Sequence, residues 1–380
     1  MLEAGMMSKR RKTEPAQTYT VTVTGYGAGG DGVARLDDGR AVFIRGAARG
    51  DILEIKLVME RPRIAKAEIV RILTRSPYRI EPDCPVYPQC GGCDFRHITY
   101  EEELEAKLRR VDDAASPIGG LSVRASGILK TGRTRGYRNK AVLHSDGNSL
   151  GFYQSQSHKI IPISNCLLLN DDINKALGEC VPGVTVTLQS GVNGLSPPIE
   201  EELDGLVFGI SGFFQVNTGA ALLLYQKARE YAALSKDETL IDLYCGVGAL
   251  TLFVGRDAGY ALGVEIDRAA TEAAKENARR NGISHVSFIN ADAAKWDSAI
   301  KRPDCIIADP PRKGLSPGAR QKILDLSPGR IVYVSCDPAT LARDLRELKG
   351  YIVKDLCVVD MFPRTANVEC CCLLVPECPR

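Results

Sequence analysis

From residue 240 onward, short apolar runs alternate with helical stretches. Strand-like runs at 240–244, 261–266, 286–290, 305–309 and 331–335 are interleaved with helix-like stretches such as 268–281, 319–326 and 339–348. Parallel strands cannot be joined by tight hairpins and need a crossover, so this alternation demands a mostly parallel sheet with helices on both faces. All-α and all-β folds are excluded for this part of the chain. Two last strand-like runs, 352–360 and 368–374, have no helix between them and read as an antiparallel hairpin at the sheet edge.

The strand ends carry the chemistry, because ligands of open α/β sheets bind beyond the carboxyl ends of the strands. One such end is Asp242-Leu243-Tyr244-Cys245-Gly246-Val247-Gly248, whose glycines allow close backbone approach. It lacks the third glycine of a dinucleotide fingerprint, Thr251 standing there, which argues against a pyrophosphate. Glu265 closes the second strand about 20 residues later, where a carboxylate accepts from ribose hydroxyls. S-adenosylmethionine has no phosphate and needs a ribose acceptor, a polar adenine contact and an apolar wall. Glu265, Asp292 and Tyr244 are the candidates for these in turn. The terminal hairpin also suits a methyltransferase sheet better than a dehydrogenase. Asp309-Pro310-Pro311-Arg312 has an arginine where amino-group methyltransferases place an aromatic residue, so Asp309 is expected to face the cofactor or the target base.

Cys336 follows the strand 331–335 in Ser335-Cys336-Asp337-Pro338 and precedes a helix whose N-terminus is expected to lower its pKa. A thiolate of this kind suits a pyrimidine, since addition at C6 makes C5 nucleophilic. A base must then take the C5 proton, and Glu369 on the last strand is the candidate.

The chain has thirteen cysteines. Its first fifteen residues are polar and basic, and no apolar run approaches the roughly 20 residues of a membrane span. A cytoplasmic location without membrane contact is therefore expected, and in that compartment cysteines serve metals or catalysis rather than disulfides. Cys84, Cys90 and Cys93 stand as C-x5-C-x2-C among Pro85, Pro88, Gly91 and Gly92. Three close thiolates and a remote fourth suit a 4Fe–4S cluster, with zinc the alternative. Cys166, after a strand, is preferred over Cys180 as the fourth ligand.

Residues 18–75 alternate β-branched runs with Gly and Asp clusters and read as a small, five-stranded OB-like β-barrel of a type that binds RNA. The net charge of +2 does not itself announce nucleic acid, although basic runs occur at residues 9–12 and at Lys130, Arg133, Arg135, Arg138 and Lys140. The expected organisation is a basic tail over 1–17, the barrel over 18–75, a central α+β region over 76–215 and a Rossmann-like α/β domain over 216–380. A monomer without an obligate protein partner is expected.

Together Gly91-Gly92-Cys93-Asp94, Phe213-Phe214-Gln215-Val216-Asn217, the 242–248 loop, the 309–314 segment, Ser335-Cys336-Asp337-Pro338 and Asp360-Met361-Phe362-Pro363 resemble the bacterial RNA uracil-5-methyltransferases that carry an N-terminal TRAM barrel and an iron–sulfur cluster. The resemblance spans about residues 19–374. It implies methylation of uridine C5 in 23S ribosomal RNA, with the target base flipped from its stack and the barrel and the 133–140 region gripping the backbone. It also implies Cys336 as nucleophile, Glu369 as base, and Gln215, Tyr244, Glu265 and Asp309 around S-adenosylmethionine, to which the strand-end reading adds Gly246 and Asp292. Cys84, Cys90, Cys93 and Cys166 would hold the cluster. Arg364, Asn367 and Ala249 depart from frequent family residues. The alternatives are a transfer-RNA enzyme of the same chemistry and a non-catalytic RNA-binding sensor.

Overall fold

The structure, a computed structural model, describes residues 17–119, 123–177, 185–210, 212–297 and 300–378. The basic residues at 9–12 and Cys180 lie outside the described residues. The chain divides into two compact units, residues 1–81 and 82–380.

The smaller unit contains β1 (Thr18–Thr22), β2 (Gly25–Tyr26), β3 (Gly32–Arg35), β4 (Ala41–Ile44), β5 (Ile52–Glu60) and β6 (Ile64–Thr74), in the order β1-β5-β6-β4-β3-β2. The period-two pattern puts Val42, Ile44, Leu53, Ile55, Ala65 and Ala67 into one core. The expected five strands are six, because the glycine-rich stretch read as a connector pairs as β2 and β3. Gly32 is required there: a Cβ would come within 2.7 Å of the Ala47 Cβ.

The larger unit begins with the cysteine loop, α1 (Tyr100–Gly119) and β7 (Gly127–Leu129). A four-stranded sheet follows, built from β8 (Lys140–Ser145), β9 (Leu150–Tyr153), β10 (Ile160–Pro162) and, after α2 (Asp171–Leu177), β11 (Val186–Gln189). The hairpin of β12 (Glu200–Leu203) and β13 (Leu206–Gly209) leads to α3 (Thr218–Ala232). Then come β14 (Thr239–Leu243), α4 (Ala249–Gly255), β15 (Tyr260–Glu265), α5 (Arg268–Arg280) and β16 (Val286–Asn290). After these follow β17 (Cys305–Ala308), α6 (Pro317–Leu326), β18 (Arg330–Ser335), α7 (Pro338–Glu347), β19 (Tyr351–Val359) and β20 (Glu369–Pro376).

The main sheet has the order β16-β15-β14-β17-β18-β20-β19-β7 among the described residues. The five strands from β16 to β18 run parallel, and β20 enters antiparallel beside β18. Both faces are covered, so β14 and β17 are apolar almost throughout: Leu240 and Ile307 pack into one core, Ile241 and Ile306 into the other. The terminal hairpin is not the edge, because β7 pairs parallel with β19 outside it. Three apolar residues far upstream carry too short a pattern to announce an edge strand. Side-chain caps start the helices at the ligand-facing side: Asp267 accepts from the Ala270 amide, Ser316 from Ala319 and Asp337 from Thr340.

Candidate active site

The parallel strands end together. The turn after β14 is tight: Tyr244, Gly246 and Gly248 all have positive φ, at 67°, 54° and 80°. Tyrosine in that region is strained, which marks the turn as functional. At Gly248 a Cβ would meet the Phe288 ring at 2.8 Å. The turn opens onto a pocket of about 60 Å³ whose lining includes Phe214, Gln215, Tyr244, Gly246 and Asp309, with Phe213 at 72% exposure. Four of the six cofactor residues expected from sequence are therefore gathered here.

Glu265 reaches the same turn through hydrogen bonds. Its carboxylate accepts the Gly246 N–H at 3.0 Å and the Asp267 N–H at 2.8 Å, holding it beside the glycine turn with lone pairs to spare. Asp292 does not line the pocket. It is exposed beyond β16, and its carboxylate caps the Ala294 amide at 2.9 Å.

Asp242 lines the pocket too and was not singled out from sequence. It is 1% exposed; Oδ2 accepts the Thr251 hydroxyl at 2.5 Å, while Oδ1 has no partner. Burial pushes its pKa up to about 8. A buried carboxyl oxygen without a partner is costly and marks a place awaiting a ligand donor or cation. Its signal in the sequence was its place as an acidic residue inside an otherwise apolar strand.

The second group lies one strand over. The β18–β20 register pairs Ser335 with Cys370, so the next step along both strands juxtaposes Cys336 and Glu369. Asp309 follows β17, which pairs with β18 on its other side. Glu369 is 4% exposed and its pKa stands well above the carboxylate range, first through burial and then through Asp309, with Arg312 opposing. Burial pushes the half-buried Asp309 up to about 6. The Cys336 thiol is raised, not lowered: burial leads, Glu369 and Asp309 add to it, and Arg312 opposes. The lowering expected from the α7 N-terminus is outweighed by burial and by Glu369 and Asp309. The arrangement is a thiol and a buried carboxyl at neighbouring strand ends, both within electrostatic reach of Asp309, which lines the pocket.

Cys84, Cys90, Cys93 and Cys166 all line a separate cavity of about 60 Å³ with apolar neighbours including Phe152 and Leu168. The Gly92 N–H donates to Cys90 Sγ at 3.4 Å, and Arg96 Nε–H to Cys93 Sγ at 3.3 Å. Among the described residues no group of three or more His, Cys, Asp or Glu side chains is gathered closely enough to hold a metal ion. The four thiols thus share a cavity without forming a finished site. Arg138 also lines it, and Arg135 is paired with Asp83, so the basic run at 130–140 is only partly a free cationic surface. Among the described residues no helix is long and apolar enough to cross a membrane.

Comparison with known proteins agrees with this architecture. The TRAM domain family matches residues 12–70, a methyltransferase small domain residues 208–326, and the tRNA (uracil-5-)-methyltransferase family residues 302–377. An uncharacterized RNA methyltransferase of Gloeobacter violaceus is 33% identical, covering 93% of this chain and 95% of its own length. One from Halalkalibacterium halodurans is 32% identical, covering 92% and 95%. The crystal structure of Pyrococcus abyssi tRNA (uracil-54, C5)-methyltransferase, in complex with S-adenosyl-L-homocysteine, has a TM-score of 0.76 at 23% identity, covering 94% of this chain and all of that one. That likeness establishes the fold.

Proposed function

The chain belongs to the TRAM-containing RNA uracil-5-methyltransferase family, and on that premise we propose that it methylates C5 of uridine in 23S ribosomal RNA in the cytoplasm, through a covalent adduct of Cys336. The observation that carries the reading is the Ser335–Cys370 register of β18 and β20, which brings Cys336 and Glu369 to adjoining positions, beside a pocket edged by Asp309.

Gln215, Tyr244, Gly246 and Asp309 would hold S-adenosylmethionine, with Glu265 available to the ribose; Asp292 stands outside the pocket lining. The unpartnered Asp242 oxygen and the Asp309 carboxyl suit a cationic ligand, which is the fit a sulfonium requires. When bound, S-adenosylmethionine supplies a methyl group on a positively charged sulfur.

Cys336 Sγ, once deprotonated, adds to C6 of the uracil. The C5–C6 π pair moves toward O4, leaving C5 with carbanion character to take the methyl group that S-adenosylmethionine would supply, the methyl–sulfur bond breaking to leave neutral S-adenosylhomocysteine. The Glu369 carboxylate removes the proton remaining on C5. The returning electron pair re-forms the C5–C6 double bond and expels Cys336 Sγ. Burial of Glu369 raises its basicity, and Arg312 opposes the upward shift of both groups. C5 and C6 are hidden in a stacked base, so the uridine is flipped into the pocket, with Phe213 exposed at its mouth to meet it. The TRAM barrel and Arg133 supply contacts to the RNA backbone.

Cys84, Cys90, Cys93 and Cys166 would hold a 4Fe–4S cluster. Their common cavity and the N–H donors to sulfur are features that stabilise thiolate ligands. The cluster would act as a tie between the 84–93 loop and residue 166, outside the methyl transfer.

The test is nucleoside mass spectrometry after incubation with S-adenosylmethionine and either unmodified ribosomal RNA or unmodified transfer RNA. 5-Methyluridine in ribosomal RNA alone supports the reading. Its appearance only in transfer RNA overturns the substrate, and its absence from both overturns the reaction.

A further inference from the structure

A second, larger cavity of about 330 Å³ lies in the same unit and shares no lining residue with the cofactor pocket. Its wall is polar and built. Glu201 is 5% exposed and accepts from Asn139 Nδ2 at 2.6 Å and from the Thr218 hydroxyl at 3.1 Å. Asn139 is 6% exposed, and its Oδ1 has no partner. The N-terminus of α3 contributes Thr218 and Gly219. Asn217 caps the Ala220 amide at 3.2 Å, which leaves the amides of Thr218 and Gly219 as orphan donors of that helix end. Arg133 is exposed at the rim and has no acidic partner among the described residues.

The cavity is joined to the active site by the chain itself. Gln215 lines the cofactor pocket and Asn217 lines this cavity. Two residues of chain span at most about 7 Å, a distance one splayed nucleotide step can cover. The volume suits a nucleotide rather than a lone ion, at the lower end of the usual range of roughly 300–1,000 Å³.

Acceptors dominate the inner wall, in Glu201 and the free Asn139 oxygen, whereas cationic and N–H groups sit at α3 and Arg133. A uracil would set its carbonyl oxygens against a carboxylate. A base with an exocyclic amino group would donate to it, as amino groups of bases do to acidic side chains. Burial raises the Glu201 pKa, opposed by the Asn139 and Thr218 bonds, so the group gains from a donor that favours its ionised form.

We propose that this cavity takes a second nucleotide of the RNA, close to the target uridine in the strand, with an amino-bearing base against Glu201 and Asn139 and its phosphate toward Arg133 and the α3 amides. The site rests on the RNA-methyltransferase reading for its biological ligand, but its chemistry can be tested without any methylation.

Full-length protein is saturated with S-adenosylhomocysteine to fill the cofactor pocket. Binding of AMP is then compared with that of purine riboside 5′-monophosphate, the same nucleotide without its amino group, by ligand-observed NMR titration. The expected result is AMP binding at least about tenfold tighter. Glu201→Gln should abolish most of that preference, while Arg133→Ala weakens both nucleotides alike and leaves the preference standing. Equal affinity of the two nucleotides for the wild-type protein overturns the assignment of the base, as does an undiminished preference in Glu201→Gln. Should Glu201→Gln fail to fold, the exposed Arg133→Ala still decides the phosphate end: unchanged affinity for both nucleotides overturns it. A protein that makes no 5-methyluridine yet discriminates these nucleotides would refute the proposed reaction and leave this site standing.

Discussion

The Asp94 carboxylate accepts the Ala366 N–H at 2.9 Å. The Arg364 carbonyl accepts the amides of Asp94 and Phe95 at 3.0 and 3.2 Å. The residue next to Cys93 is thereby fastened to the loop that ends, three residues later, at Glu369. From the other side, buried Lys107 donates to Asp360 Oδ1 at 2.6 Å, to Glu103 at 2.7 Å and to the Phe362 carbonyl at 3.1 Å. The loop carrying the candidate base is held by the cysteine loop and α1 together.

Asp94→Ala should therefore slow turnover by about 10- to 100-fold through misplacement of Glu369, while the KM for S-adenosylmethionine stays put. Steady-state kinetics with both substrates checks this. An unchanged kcat would show that the loop holds its shape without Asp94.

The roles given to Cys336 and Glu369 separate on a denaturing gel. Cys336→Ala should give neither 5-methyluridine nor a protein–RNA adduct. Glu369→Gln should lose about 10² to 10⁴ in turnover while accumulating a denaturant-resistant adduct, because elimination of Sγ waits on removal of the C5 proton. If Glu369→Gln releases product freely, another group is the base.

The pH profile follows from the directions of the shifts. Cys336 and Glu369 are both raised above their ordinary values, and each must lose its proton to act. Activity is then lost as pH falls through both groups, and kcat/KM should still be climbing at roughly pH 8.5, the ordinary thiol value. Arg312 opposes both shifts, so Arg312→Gln should move the limb further to the alkaline side. A limb that stays in place in that variant would remove Arg312 from the site's electrostatics.

Much of this was legible in the sequence, for identifiable reasons. The parallel strands announce themselves because burial on both faces makes them continuous apolar runs, and the turn after β14 because its glycines are needed for positive φ. Cys336 and Glu369 were readable as chemistry, but their juxtaposition depends on an antiparallel register between residues 33 positions apart that no local pattern encodes. The sign of the thiol shift was misread because burial leads it and the carboxylates that add to it, Glu369 and Asp309, are distant in sequence. The expected apolar, ribose and adenine contacts were assigned by strand-end logic, which gathered Tyr244 and Gly246 but left Asp292 outside the pocket lining. Asp242 and the Glu201 cavity were invisible because their meaning lies in missing partners.

Asp242 makes a stability prediction with a definite sign. Its folded pKa of about 8 lies above the ordinary 3.8, so folding holds a proton that the unfolded chain releases. The native state is favoured at low pH and loses ground as pH rises toward 8. Asp242→Asn removes that cost and can still accept the Thr251 hydroxyl, so it should gain stability relative to wild type, on the order of 1–3 kcal/mol between pH 5 and 8. Thermal unfolding at the two pH values, without ligand, reads it. A constant difference across that range would mean the carboxyl is ionised in place. The same variant should bind S-adenosylmethionine more weakly, since the free oxygen is what a cationic ligand would use.

The cysteine cavity makes the last prediction. Anaerobically purified protein should carry iron and acid-labile sulfide in about equal amounts, and Cys90→Ser should lower both; zinc without iron would overturn the cluster. Loss of the cluster in air should first lower the thermal stability of the larger unit, because the tie between the 84–93 loop and residue 166 is gone. Single-turnover methylation should fall only afterwards, and by the route through Asp94 and Ala366 rather than by any redox step. In a preparation stripped of iron, Glu369 would then be displaced while Cys336, which directly follows the central strand β18, stays in position, so adduct formation should outlast product release. Simultaneous loss of both would mean that the cluster supports the whole sheet edge and not the base loop alone.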